Sequence, residues 1–111
     1  MDINQYNNMV LELKRGTQVL SVLSQLKNNQ YGYSLLQALE EKKVMIEAGT
    51  LYPLMRRLES QGLLISEWDT SESRPRKYYR LSDEGLSVYH QLVNEWKNIV
   101  SDMDKLIREE S

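Results

Sequence analysis

The 111-residue chain contains no cysteine and only one histidine. The first absence excludes disulfide staples, thiolate metal ligands and cysteine nucleophiles together, and it suits a reducing compartment. The second leaves no basis for a metal centre. His90 stands between Tyr89 and Gln91, and the carboxylates of Asp83, Glu84 and Glu95 lie at no ligand spacing from it. It reads as a surface or interface residue. No apolar run approaches the roughly 20 residues that a membrane span needs. Met1-Asp2-Ile3-Asn4-Gln5 lacks the basic-then-apolar layout of a secretion signal. A soluble, cytoplasmic protein without membrane contact, metal or cofactor is expected. Nor is there a nucleophile–base pair or a phosphate-binding loop, so an enzyme is not expected.

What is present is ordinary in bulk and uneven in distribution. An apolar content of 41% with 27% charged residues suits one folded domain, perhaps with an appended helix, and excludes extensive disorder. The net charge of −2 is unpromising for a polyanion binder until it is divided along the chain. Residues 1–47 balance five Lys/Arg against five Asp/Glu, residues 48–82 carry six against four, and residues 83–111 carry three against seven. Phosphate neutralisation is local, so the excess in the middle is what matters. Asp102, Asp104, Glu109 and Glu110 form a solvated acidic face that repels a polyanion from the C-terminal end.

Apolar residues recur three or four apart between Tyr6 and Leu26, the helical period, with a break or bend at Gly16-Thr17. A short N-terminal helix over residues 4–15 and a first core helix ending near Asn28-Asn29 are predicted, followed by a turn. A second helix runs from Tyr33 to about Glu41, with Leu35, Leu36 and Leu39 on one face. Val44-Met45-Ile46 is a brief extended link. A third helix covers Ala48 to Gln61, with Leu51, Leu54, Met55 and Leu58 inward and Gly62 as its C-cap glycine. The period then changes. Leu63 to Trp68 and Arg76 to Leu81 are strand-like runs around a polar loop, residues 69–75, which together make a hairpin. Ser82 is a good N-cap for the last helix, with Asp83 and Glu84 in its first turn.

That last helix carries the cleanest pattern. Tyr89, Leu92, Trp96, Ile99, Met103 and Leu106 recur at three and four, and Val93, Val100 and Ile107 widen the stripe. A domain this small has no place to bury so much apolar surface, so a second copy of the chain is the simplest partner. Two short helices joined by a tight link and followed by a hairpin form the winged helix-turn-helix layout. The expected fold is therefore mainly α with a small β-hairpin, plus a long C-terminal dimerisation helix. Residues 1–82 make the DNA-binding domain and residues 83–111 the dimerisation helix.

A helix of this kind enters the major groove, and a basic hairpin reaches the adjacent backbone. On the third helix Thr50, Tyr52, Pro53, Arg56 and Arg57 lie away from the inward leucines. Arginine bonds guanine bidentately, and the hydroxyls of Thr and Tyr hold phosphates. Pro53 has a plain structural alternative, fixing the helix entry at little cost. The arginine pair could be mere solvated surface, with Glu59 as partner to one of the two. Between Arg74 and Arg80 four side chains (Arg74, Arg76, Lys77, Arg80) are cationic and none is anionic, which predicts a phosphate-facing wing. Tyr78 and Tyr79 point to opposite faces of one strand, so one is core, and the pattern leaves open which. Trp68 reads as packing.

The chain resembles the PadR-like transcriptional regulators, in particular short members with a single C-terminal helix. The resemblance rests on Tyr31-Gly32-Tyr33, on Gly49-Thr50-Leu51-Tyr52-Pro53 with Arg57-Leu58-Glu59 and Gly62-Leu63, and on the run from Arg74 to Leu81 before Asp83-Glu84-Gly85. It spans roughly residues 15–90. Glu47 departs from it, standing where a smaller capping residue is usual. The resemblance implies a homodimer joined through the terminal and N-terminal helices, acting on a two-fold symmetric operator, usually in repression. It also implies that a small aromatic or drug-like effector is common. Trp96, with Met9 and Leu13, then becomes the candidate lining of a cavity at the dimer centre, where flat aromatic ligands would stack. The bland alternative for Trp96 is dimer core. A winged-helix protein–protein module without DNA binding is the competing function, and the cationic wing argues against it.

Overall fold

The computed structural model describes residues 1–109, so Glu110 of the expected acidic face lies outside the described residues. Five helices and three short strands follow in the order α1 (Ile3–Arg15), α2 (Gln18–Ser24), β1 (Gln30–Tyr31), α3 (Gly32–Glu41), α4 (Ala48–Ser60), β2 (Leu64–Asp69), β3 (Arg76–Leu81) and α5 (Asp83–Glu109). α1 begins with a capping box. The Asp2 carboxylate accepts from the Gln5 N–H at 2.8 Å, and the Gln5 side chain accepts from the Asp2 N–H at 3.2 Å. Two donors that the helix start would leave unpaired are thus satisfied. The expected bend falls at Gly16-Thr17, between α1 and α2.

α2 stops at Ser24, short of the Asn28-Asn29 boundary expected from the periodicity. The reason is local. The N–H groups of Gln25 and Leu26 reach back only three residues, to Val22 and Leu23, and the hydroxyl of Ser24 donates to the Ser21 carbonyl. This tight ending turns the chain into Gln30-Tyr31, which the sequence reading treats as a turn. In the fold they form a third strand. β1 pairs with β3 antiparallel (Gln30 opposite Tyr79, Tyr31 opposite Tyr78), giving the sheet order β1-β3-β2.

The core is apolar throughout. Val22 and Leu23 of α2, Leu26 just beyond it, Leu35 and Leu39 of α3, Leu51, Leu54, Met55 and Leu58 of α4, and Ile46 and Leu64 are buried, with no polar or charged residue buried among the described residues. Tyr79 and Leu81 from the sheet, and Tyr89 and Leu92 from α5, close its edge. Tyr79 is therefore the inward tyrosine of the pair. Tyr89 and Leu92, assigned to the dimer face by the stripe, are turned onto the protomer's own core. α5 leaves the domain past Val93. At about 1.5 Å per residue its 27 residues extend roughly 40 Å.

α3 and α4 both end in Schellman turns. After α4, Leu63 N–H bonds the Leu58 carbonyl at 3.0 Å and Gly62 bonds Glu59 at 2.9 Å, with Gly62 at φ +81°. After α3, Val44 bonds Leu39 and Lys43 bonds Glu40, so Lys43 holds the left-handed position at φ +66°. The corner after Gly62 then ties three elements together. The Ser82 N–H donates to the Leu63 carbonyl (3.1 Å), the Ser82 hydroxyl donates to the Gly62 carbonyl (2.6 Å), and the same hydroxyl accepts from Gly85 N–H (2.9 Å) as the N-cap of α5.

Gly85 is buried in this corner, and a Cβ placed on it would sit 1.9 Å from the Leu63 carbonyl oxygen. Backbone meets backbone there, so no side chain can move aside. Gly85→Ala is expected to cost at least about 3 kcal/mol. A thermal melt should fall by roughly 10 °C or more; an unchanged melt would contradict the close approach.

Candidate nucleic-acid interface

The helical period gives α4 four sides. Leu51, Leu54, Met55 and Leu58 fill the core. Opposite them, Pro53 and Arg56 are exposed, as is Gly49. Pro53 is the sixth residue of the helix, beyond the positions where its missing N–H is free of cost. It withholds the donor that the Gly49 carbonyl would accept, and this break faces outward. The N-cap, Glu47, makes no side-chain capping bond.

The two flanks differ. On one, Thr50 and Arg57 lie seven residues apart and line a cleft of about 470 Å³ that is completed by Arg15 and Gln18 from the α1–α2 corner. On the other, Tyr52 is half-buried with its ring over Gly32, where an added Cβ would lie 2.9 Å from Tyr52 Cε1. Tyr52 is thus as much a packing residue as a surface one. Glu59 is on this side too, and it pairs with neither Arg56 nor Arg57. It accepts from the Ser66 hydroxyl and bonds Lys77 Nζ at 3.4 Å, tying α4 to the hairpin. Among the described residues Arg15, Arg56, Arg57 and Arg74 have no acidic partner.

The hairpin divides its charges between two faces. Residues paired across antiparallel strands share a face, and neighbours along a strand alternate. The register, Glu67 opposite Tyr78 and Asp69 opposite Arg76, puts Glu67, Asp69, Arg76, Tyr78 and Arg80 on one face with Tyr31 of β1. Ser66, Trp68, Lys77 and Tyr79 share the other. Arg76 and Arg80 thus lie on one face of the hairpin and Lys77 on the other, because the period of a strand is two. Arg80 Nη1 donates to Glu67 at 2.8 Å. The Arg76 guanidinium lies 4.3 Å from the Tyr31 ring centroid, and Tyr31 meets Tyr78 edge-on at 6.0 Å. Lys77 is on the opposite side, toward Glu59. Of the four wing cations, Arg74, in the exposed loop, is the one without a partner among the described residues. Trp68, expected to pack, is 64% exposed on the wing.

One small network holds the loop end of the hairpin to β1. The Tyr31 hydroxyl donates to Asp69 at 2.6 Å, while the other Asp69 oxygen accepts from the Ser71 hydroxyl and N–H at 2.6 and 3.0 Å. The Ser71 hydroxyl, then Tyr31 and the Ser71 N–H, hold the Asp69 carboxyl down at about 2. The carboxylate it bonds pushes the Tyr31 phenol above its ordinary value, and Glu67 does the same to Tyr78. Arg80 and Tyr78 hold Glu67 low.

The sequence reading missed Arg15, Gln18 and Tyr31 as members of this surface. Gly16-Thr17 signals a bend beside Arg15, but nothing local says that the bend lies against α4. Met9 and Leu13 are exposed on α1 and do not line the groove that holds Trp96 within a protomer.

A two-helix unit, α3 and α4, with one exposed face bearing an unpaired arginine and a cationic hairpin beside it, defines a winged helix-turn-helix DNA-binding protein. The family model described as the transcriptional regulator PadR-like family matches residues 19–91. A PadR family transcriptional regulator from Eggerthella lenta is 54% identical, with a TM-score of 0.89 over 94% of this chain and 93% of that one. A transcriptional regulator of Mycobacterium tuberculosis is 36% identical over 78 residues, 69% of this chain and 73% of that protein. The PadR of Bacillus subtilis, solved with operator DNA, is 20% identical with a TM-score of 0.65 over 69% of this chain and 46% of that one, a likeness of fold. The chain belongs to the PadR-like family of transcriptional regulators. No helix among the described residues is long and apolar enough to cross a membrane.

The depressed Asp69 value contributes to wing stability above the ordinary carboxylate range, and that contribution is lost as pH falls through about 2. The raised Tyr31 value works the other way. Its contribution is present below pH 10.0 and is lost as pH rises through the raised phenol value. Asp69→Asn should return the Tyr31 phenol toward its ordinary value in an ultraviolet tyrosinate titration, with Tyr31→Phe identifying the band. An unmoved band would contradict the Tyr31–Asp69 bond.

Proposed function

We propose that the protein is a repressor that binds a two-fold symmetric operator as a homodimer, with α4 reading bases and the wing holding phosphates. The outer face of α4 carries this reading, because Arg56 is exposed there without an acidic partner among the described residues, beside Pro53. Arg56 and Arg57 reach base edges or the groove wall, Thr50 and Tyr52 offer hydroxyls, and Arg74, Arg76, Lys77 and Arg80 supply the wing's charge. The proposal extends to this chain the operator binding for which the Bacillus subtilis PadR was solved.

Two apolar stripes support the dimer. On α5, Trp96, Ile99, Val100, Met103 and Leu106 stand 39–57% exposed, and α1 presents Ile3, Tyr6, Met9 and Leu13 with no buried residue. Water-exposed apolar area on these two helices is stabilised by burial at about 25 cal/mol per Å². In this reading the winged domain (residues 1–82, with residues 4–15 helping the dimer) is joined to its twin by the C-terminal helix (residues 83–111). Val93 and the residues from Trp96 outward carry the contact. Half-sites then lie about 34 Å apart along the DNA.

A groove of about 370 Å³ between α2 and α5, lined by Leu20, Tyr89, Val93 and Trp96 among others, supports the effector reading. A flat aromatic ligand stacks on Trp96 there, with Met9 and Leu13 supplied by the second protomer, and releases the DNA.

Anisotropy of a labelled random-sequence duplex, measured across salt, tests the DNA reading. Arg74→Ala should lower the slope of log K against log salt by about 0.9. Arg80→Ala should lower it less, since Arg80 is already paired with Glu67. No binding even at low salt would favour the protein–protein module instead. For the dimer, Ile99→Glu with Met103→Glu should give a folded monomer by sedimentation. A double variant that stays dimeric would overturn the interface. The wild type should show Trp96 quenching by planar dyes, and unchanged tryptophan emission would remove the effector reading.

A further inference from the structure

We propose that Arg15, at the end of α1, is a further DNA contact that clamps one backbone phosphate together with Arg57 of α4. The inference rests on the reading of α4 as the DNA-facing helix, and it adds a residue from outside the helix-turn-helix and the wing. Arg15 and Arg57 open onto the same cleft, of about 470 Å³. Gln18 and Thr50 provide further hydrogen-bond donors on its walls, Val19 and Leu54 give it an apolar floor, and no carboxylate lines it. Two guanidiniums, an amide and a hydroxyl around an acid-free cleft make a site for an oxyanion, because each guanidinium offers forked donors to phosphate oxygens.

Its placement selects the DNA backbone as the source of that anion. A helix 10–12 Å across fills a major groove about 12 Å wide, so its outward residues meet base edges and its flanks meet the phosphates on the groove walls. Thr50 and Arg57 sit two turns apart on one such flank. The opposite flank carries Glu59, engaged with Ser66 and Lys77. The cationic flank is thus the one that Arg15 joins. The α1–α2 corner holds it there: the Thr17 N–H and hydroxyl both donate to the Lys14 carbonyl, at 2.9 and 2.7 Å. A cation in the last turn of α1 also suits that helix's macrodipole. The macrodipole alone predicts a small change in melting temperature on removal and no change in salt dependence.

The test uses the full chain and a labelled random-sequence duplex, so no operator need be known. Arg15→Gln should bind several-fold more weakly and lower the salt slope by about 0.9, with the sedimentation coefficient of the free protein unchanged. Arg57→Gln should do the same. The double variant should lose about one unit of slope in total, because the single phosphate is held only while both guanidiniums close on it. A wild-type slope retained by Arg15→Gln overturns the proposal, as does a loss near two units in the double variant. If Arg15→Gln alters sedimentation, Arg15→Lys decides: with its charge kept it should restore the wild-type slope, and a reduced slope in a normally sedimenting Arg15→Lys protein also overturns the proposal. A wild type that ignores salt or binds no DNA would sink the DNA reading itself, an outcome distinct from these.

Discussion

The backbone corner from Gly62 to Gly85 is the constraint on which the rest depends. Here α4 ends at a left-handed glycine, the wing leaves and returns, and α5 starts, all bonded through the carbonyls of Gly62 and Leu63 and the Ser82 hydroxyl. A second tie, from the Leu81 N–H to the Leu26 carbonyl at 2.8 Å, joins the end of the wing to the end of α2. Because these are backbone bonds at van der Waals approach, the angle between α4 and the hairpin is set without any help from DNA. α5 departs from the same point, so the geometry of any dimer is transmitted directly to α4.

Charge is distributed by the same geometry. The chain is net acidic, yet α4, the wing loop and the α1–α2 corner keep arginines with no acidic partner among the described residues. Where a cation does pair, the partner serves architecture. Lys77 with Glu59 joins the wing to α4, and Arg80 with Glu67 stiffens the hairpin. Exposed pairs of this kind are individually weak. They orient the hairpin more than they stabilise it. The wing therefore delivers less free charge than its composition promises, and among the described residues the arginines without an acidic partner include Arg56 and Arg57 on α4, Arg74 in the wing loop and Arg15 at the α1–α2 corner.

Helices were legible because the 3.6-residue period is written into side-chain polarity. α3 and α4 lie within a residue or two of the boundaries that Leu35, Leu39, Leu51 and Leu58 imply. Gly62 announced its own position, since few other residues accept φ +81°. β1 was illegible, because a two-residue strand has no period and exists only through pairing with β3. Trp68 looked like packing because large aromatics usually pack, but the hairpin extends beyond the core that would have received it. Glu59 has Arg56 and Arg57 close by in sequence, yet the nearest cation in space came from a strand eighteen residues on.

By itself the sequence determined the kinds of element, their order, the inward face of each helix and the excess of apolar surface on α5. Those follow from periodicity and composition, which are local properties. Only the tertiary structure decided which charges are free and which are spent on one another, that Tyr89 and Leu92 belong to the protomer's own core, and that Arg15 shares a cleft with Arg57. These are relations between residues far apart in the chain, and their energies depend on distance and exposure, which chain order does not contain.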